Sequence, residues 1–289
     1  MIRMADEKRL VPDKHEGMSI FRPPLCLELA GKRFELVMDD GNDKNMIFED
    51  GKTLLFGAPG QEESYPYECI KMDDRCYLVN FEHIPFPEPR DGIAVVLDER
   101  EYLVTVCYAT LGRDPKIPRM PTTEIVFGAV RRPDGTVPTV RHGFTDEMTG
   151  TSIDWNYGTF NIAHVYYSER LYRVAFTPRA LERVRRNSPD MMAGADTRPV
   201  VQAVYEDYWD CVKIRDGVYA VNLLETNLAR RVGHGNSLFF LMNLNELHDA
   251  GRSFGTSVDG LDENYTFGAF GTWYDATEEM KRPSMYYIH

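Results

Sequence analysis

The chain has 289 residues, a net charge of -12 and 43% apolar residues. That length suits two domains, and that apolar content suits packed cores rather than a disordered chain. The acidic balance counts against nucleic acid or an anionic membrane surface as the main partner.

No apolar segment follows the opening MIRMADEKR, so no signal peptide is expected, and no run reaches the length of a membrane span. Residues 1–26 read as an N-terminal extension. In KRFELVMDDG, Phe34, Leu36 and Met38 alternate with Arg33, Glu35 and Val37, the period of a half-buried strand. NMIFEDGKTLLFG follows as two short strands about Asp50-Gly51. YPYECIKMDDRCYLVNF is the next hairpin, GIAVVLDEREYLVTVCYATLG another, and EIVFGAV a further strand. The stretch RRPDGTVPTVRHGFTDEMT has the Pro, Gly and Thr content of a linker.

The second half repeats this order. TGTSIDWNYG would align its Gly150 with Gly31, and IAHVYYSERLYRVAF follows. DCVKIRDGVYAVNL then matches ECIKMDDRCYLVNF, with Cys69, Lys71, Asp74, Tyr77, Val79 and Asn80 recurring as Cys211, Lys213, Asp216, Tyr219, Val221 and Asn222. Phe267-Gly268-Ala269 echoes Phe127-Gly128-Ala129 at nearly the same spacing. A near-constant offset over half the chain indicates an internal duplication. The expected fold is all-β: two tandem antiparallel barrels, residues 27–140 and 141–289, each a meander of hairpins able to hold one small ligand. One basic insertion, TPRALERVRRNSPDMMAG, breaks the symmetry and reads as a short helix capped by Thr177 with Pro178 at its first position. Its arginines suit a solvated face or a lid over a barrel mouth.

Side-chain alternation places the candidate chemistry. If Lys71 faces water, then Glu68, Ile70 and Met72 face the barrel interior, and Tyr208, Asp210 and Val212 do so in the repeat. A carboxylate on an apolar wall has a raised pKa suited to acid–base work, which singles out Glu68 and Asp210, with Tyr208 beside them. Trp155 and Tyr157 share a face with Ile153, and His164 and Tyr166 share one with Ile162, although there the opposite face is equally apolar. These groups can bind a phenol or carboxylate and move a proton. His83 and His234 sit in roughly corresponding loops. The histidines form no H-x-H or H-E-x-x-H pair, so no metal site is expected. The five cysteines form no C-x-x-C pair, which fits a reduced cytoplasm.

LAGKRFELVMDDG, FEDGKTLLFG, RHGFTDEMTG and AVYEDYWDCVKIRDGVYAVNLLE together resemble the MoaF family, as an N-terminal and a C-terminal MoaF-like domain spanning nearly the whole chain. The resemblance implies lipocalin-like (calycin) barrels and carries no settled catalytic residues. The chain also looks, at the level of fold, like the phenolic acid decarboxylases. The function expected is therefore a cofactor-independent lyase or decarboxylase acting on a small aromatic molecule. The alternatives are a carrier of a small ligand, an accessory protein linked to molybdenum cofactor metabolism, or a scaffold in which the first barrel supports the second. A homo-oligomer is compatible with the sequence.

Overall fold

The computed structural model describes residues 17–84, 90–113, 116–117, 119–158, 160–175, 177, 203–233, 235–256 and 262–282. The helix expected from Pro178 onward, and His234, lie outside the described residues.

Strands β1 (Arg33–Met38), β2 (Lys44–Phe48), β3 (Thr53–Gly57) and β4 (Glu63–Asp73) lead into β5 (Cys76–Ile84), β6 (Arg90–Asp98), β7 (Leu103–Leu111) and β8 (Pro121–Val130). Each pairs antiparallel with the next, and β8 returns to β1 through Leu36↔Val130, closing barrel 1. After β9 (Gly143–Phe144) come β10 (Ser152–Asn156), β11 (Asn161–Val165), β12 (Leu171–Ala175), β13 (Ala203–Arg215) and β14 (Val218–Leu224). Helix α1 (Thr226–Val232) interrupts the series before β15 (Asn236–Asn243), β16 (His248–Thr256) and β17 (Asp262–Trp273). β12 pairs with β13 and β17 returns to β10, so β10–β17 close barrel 2 in the same up-and-down order. The protein is all-β with two tandem barrels, as the repeat implies. Among the described residues no helix is long and apolar enough to cross a membrane.

The duplication extends to individual bonds. Ahead of barrel 1, Leu25 bridges Ile70, and the Cys26 amide donates to the Cys69 carbonyl at 2.7 Å. Ahead of barrel 2, Phe144 pairs with Val212, and the Thr145 amide donates to the Cys211 carbonyl at 2.9 Å. Glu28 accepts from Lys71 and Tyr77, and Glu147 likewise from Lys213 and Tyr219. The β4–β5 and β13–β14 turns also correspond. Gly217 takes φ 73 in the second, a left-handed conformation that glycine adopts freely, while Arg75 is held at φ 52 in the first.

Three main apolar cores result, with two small satellites among the described residues, one around Ala163 and Met280 and one around Leu111 and Phe254. Barrel 1 is filled by Phe48, Phe56, Phe81, Val79, Val95 and Val106, among others. Barrel 2 is lined by Trp155, Tyr157, Tyr166, Tyr172, Trp209 and Phe240, among others. The third lies between the barrels, where Ile70, Met72 and Leu78 meet Val212, Val218 and Phe239. Polar ties reinforce it with approximate twofold symmetry. Asn80 donates to Asn264 at 3.2 Å, and its repeat partner Asn222 donates to Thr123 at 2.9 Å. Each barrel thus offers the same position to the other, as in an isologous dimer interface.

Residues 17–22 belong spatially to barrel 2, although they precede barrel 1 in the chain. Met18 accepts from the Tyr265 hydroxyl at 3.2 Å, and Arg22 donates to Thr266 at 2.6 Å. A Cβ on Gly268 would meet the Arg22 Cα at 2.5 Å, so only glycine allows this approach.

Candidate functional site

The parity expected for β4 and β13 is inverted. Tyr65, Tyr67 and Cys69 face into barrel 1, and Trp209 and Cys211 face into barrel 2. Ile70, Met72 and Val212 point instead at the neighbouring barrel. Both faces of these strands are apolar because both are covered, so alternation alone could not tell inside from outside. Lys71 belongs to the inward face. It lies near a barrel end, where its long stem carries the ammonium to Glu28 at 2.8 Å.

Three expected site residues therefore lie outside the barrels. Glu68 is buried in the inter-barrel contact, where Thr266 donates to it at 2.7 Å and Arg22 lies 3.7 Å away. Tyr208 is 43% exposed. Asp210 is half-exposed and faces Arg170 at 3.9 Å and Asn222 at 3.5 Å. His83 stands exposed at the mouth of barrel 1. By the registers Tyr67↔Phe81 and Trp209↔Leu223, its counterpart in barrel 2 is Glu225.

The other four do converge inside barrel 2. Trp155, Tyr157, His164 and Tyr166 are all buried. The Tyr166 hydroxyl lies 3.4 Å from His164 Nδ1, and its ring packs 4.5 Å from Trp209. The Trp209 indole N–H donates to the Ser168 carbonyl at 2.9 Å, which fixes that ring. His164 also meets Tyr172 edge-on at 5.8 Å. Burial pushes the His164 imidazole down to about 3, so it is neutral across the physiological range.

Three buried carboxyls, Glu225, Asp207 and Asp249, complete the cluster. Glu225 follows β14 at the foot of α1. The Glu225 amide donates to the Asn236 carbonyl at 3.0 Å, and the Asn236 amide returns a bond to Glu225 Oε2 at 2.9 Å. Asp207, projecting from β13, anchors the start of α1 by accepting from the Thr226 and Asn227 amides at 2.9 and 3.0 Å. The Tyr205 hydroxyl donates to Glu225 Oε1 at 2.8 Å. Burial raises Glu225 to about 7. Asp207 and Glu263 add to that rise, while the bonds from Tyr205 and Asn236 oppose it. Asp249, on β16, accepts from Tyr157 at 3.4 Å and is raised well above the usual carboxylate range by burial. Tyr157, Tyr166, Tyr172 and Tyr205 are likewise pushed up by burial, so their hydroxyls stay protonated donors.

Polar capacity is left over in this interior. Trp155 Nε1, Tyr172 Oη and Asp249 Oδ1 are buried and lack a well-formed hydrogen bond among the described residues. Weaker hydrogen-bond interactions link the indole to Tyr166, Tyr172 to Tyr205 and the Asp249 carboxyl to the Ala269 amide. Buried polar atoms with spare capacity mark a place where a bound molecule or water can complete the bonding. Sequence reasoning missed Glu225, Tyr205, Tyr172 and Asp249. The signal for Tyr205 was its shared parity with Trp209 and Cys211.

Barrel 1 has a different opening. A cavity of about 480 Å³ sits at its mouth, lined by Asp40, Lys44, Tyr65, His83, Tyr108 and Glu124, among others. The Tyr65 ring lies 5.6 Å from that of His83, and its hydroxyl donates to Glu63 at 2.7 Å. Burial, with Asp40 and Glu124 nearby, pushes Tyr108 up to about 12. Among the described residues no group of three or more His, Cys, Asp or Glu side chains is arranged to hold a metal ion.

No family model matches the chain, and no curated protein matches it. The resemblance to the MoaF family rests on the quoted motifs alone.

Proposed function

We propose that barrel 2 binds a small aromatic acid and acts on it by acid–base chemistry without a cofactor, as a lyase of the decarboxylase type in a MoaF-like protein. One observation carries this reading. Glu225 is a buried carboxyl held by the Tyr205 hydroxyl at 2.8 Å, within a shell of tyrosines and a neutral histidine, and burial raises it to about 7. A group with that pKa holds a proton at neutral pH and releases it readily. Loss of carbon dioxide from a phenolic acid leaves electron density on the carbon that carried the carboxylate. That carbon must then take a proton, which Glu225 supplies. Tyr172 and the Trp155 indole have hydrogen-bonding capacity for the phenolic and carboxylate oxygens. Tyr205 orients Glu225 through its 2.8 Å bond.

The test is Glu225→Gln, assayed for binding and for turnover over a panel of phenolic acids. Binding should persist while turnover falls about 100-fold or more, the size of a lost general acid. The wild-type rate should decline as pH rises through about 7, because the acid form is consumed. Unchanged turnover in the variant would sink the enzymatic reading.

The cavity at the mouth of barrel 1 favours a second reading, a carrier without catalysis. Its volume of about 480 Å³ falls within the usual range for small-ligand sites. If His83→Ala weakens ligand binding and Glu225→Gln does not alter the protein's behaviour toward any ligand, the carrier reading replaces the first.

A further inference from the structure

The one cysteine position that the duplication shares has different neighbours in the two barrels, in a way that bears on chemistry. Cys69 and Cys211 occupy the same inward site on β4 and β13. The residue opposite Cys211 is Thr145, whose amide donates to the Cys211 carbonyl. The residue opposite Cys69 is another cysteine, Cys26, whose amide donates to the Cys69 carbonyl at 2.7 Å. The adjoining antiparallel bridge, Leu25↔Ile70, sets Cys26 directly across from Cys69. Residues facing each other across such a bonded pair have Cα atoms about 5.5 Å apart, inside the range of about 4.4–6.8 Å that a disulfide spans. Cys26 packs against the barrel 1 core beside Cys69, yet stays partly exposed. Both thiols are free in this structure.

We propose that Cys26 and Cys69 form a peroxide-sensitive thiol pair that closes into a reversible disulfide, stapling the segment before β1 onto β4.

The two sulfurs divide the work. A hydrogen bond from Cys69 lowers Cys26 to about 6. The Glu28 amide, 3.5 Å from its sulfur, and the nearby Lys71 add to that effect. Cys69, buried in the barrel, is raised well above the ordinary thiol range and keeps its proton. Cys26 is thus the attacking thiolate and Cys69 the resolving thiol. The Cys26 sulfur attacks one oxygen of hydrogen peroxide. An S–O bond forms, the O–O bond breaks, and the departing hydroxide takes a proton to become water. The Cys69 sulfur then attacks the Cys26 sulfur. The S–S bond forms, the S–O bond breaks, and the hydroxyl leaves as a second water with the Cys69 proton. The two cysteines together lose two electrons and peroxide gains them. A dithiol reverses the bond by exchange through Cys26, the accessible sulfur.

The test uses the full-length, fully reduced protein. It is treated with hydrogen peroxide, blocked with an alkylating agent, unfolded and digested for mass spectrometry. The expected product is a Cys26–Cys69 cross-linked peptide that disappears with dithiothreitol, while the peptide carrying Cys211 stays reduced. Cys26→Ser should abolish the cross-link. Cys69→Ala should leave a sulfenic acid on Cys26 that dimedone traps, and if that variant does not fold, Cys26→Ser still carries the comparison. In untreated protein, the pH dependence of Cys26 alkylation should rise with a midpoint near 6. Peroxide that leaves Cys26 freely alkylated, oxidises Cys26 while Cys69 stays a free thiol, or joins two chains through Cys26 would overturn the proposal.

Discussion

Barrel 1 closes around Phe48, Phe56, Phe81 and a column of valines, while the same lattice in barrel 2 encloses Trp155, Tyr157, His164, Tyr166, Tyr172 and Trp209. The copies agree in strand order, in the bridge that precedes each barrel and in the Glu–Lys–Tyr cluster at one end. They differ at positions that need not be apolar for the barrel to close. Where barrel 1 has exposed His83, barrel 2 has buried Glu225, and where barrel 1 has Tyr65, barrel 2 has Asp207 holding α1. A closed sheet satisfies its own backbone, so the interior side chains are free to diverge. Barrel 1 kept an apolar interior beneath an open mouth, and barrel 2 gained titratable groups out of water.

That contrast predicts where acid and base act on stability. His164 carries the largest expected effect. An unfolded histidine takes a proton below about 6.5, whereas the buried ring resists until about 3. Between those values the native state binds fewer protons, so stability falls as pH drops, by up to about 5 kcal/mol in all. Denaturant titrations across that window should show the loss, and His164→Leu should flatten it. An equal slope in the variant would assign the loss elsewhere.

Glu225 works in the opposite direction. Its carboxyl ionises near 4.5 when unfolded and near 7 when buried. The native state therefore binds more protons in that window, and stability falls as pH rises through it, by about 3 kcal/mol. Glu225→Gln should recover most of that at pH 8 and little at pH 4.5, because the Tyr205 hydroxyl can turn to accept from the new amide.

A smaller effect belongs to the β4–β5 turn. Arg75→Gly, which copies the turn of barrel 2, should stabilise the protein by about 0.5–1 kcal/mol by relieving the left-handed backbone. Chemical denaturation would measure this, and a loss of stability would mean that the contact of Arg75 with Glu99 outweighs the strain. Smallest of all is Asp210→Asn, expected to change stability by less than about 0.5 kcal/mol and to leave turnover untouched. A large fall in turnover would return Asp210 to the site.

Much of the fold was legible because the repeat was legible. A motif recurring at fixed spacing fixes strand order twice over, and turns at Asp50-Gly51 and Asp216-Gly217 mark the hairpins. The candidate site was half legible. Ile153 gave the correct inward face for Trp155 and Tyr157, whereas the opposite face of the next strand is equally apolar and left His164 and Tyr166 undecided. Glu68, Tyr208 and Asp210 were misplaced because the outer faces of β4 and β13 are as apolar as the inner ones, each lying against the sister barrel. Lys71 misled for a related reason, since a long cationic side chain can sit on the inward face and still reach water at the rim. Glu225 and Asp249 gave little signal. One ends a strand and the other follows a turn, and burial at such places is decided by partners distant in sequence.

The docking of residues 17–22 on β17 ties almost the first described residues to the last strand of the second barrel. Arg22 and Thr266 are 244 positions apart. Synthesis proceeds from the N-terminus, so this leading segment emerges long before the surface that receives it. Barrel 1 can close while residues 17–22 wait undocked, and their contact forms only once β17 has been made. A ribosome-stalled chain lacking β17 should accordingly be cut by protease ahead of Leu25 while barrel 1 resists, whereas a chain that includes β17 should resist at both places.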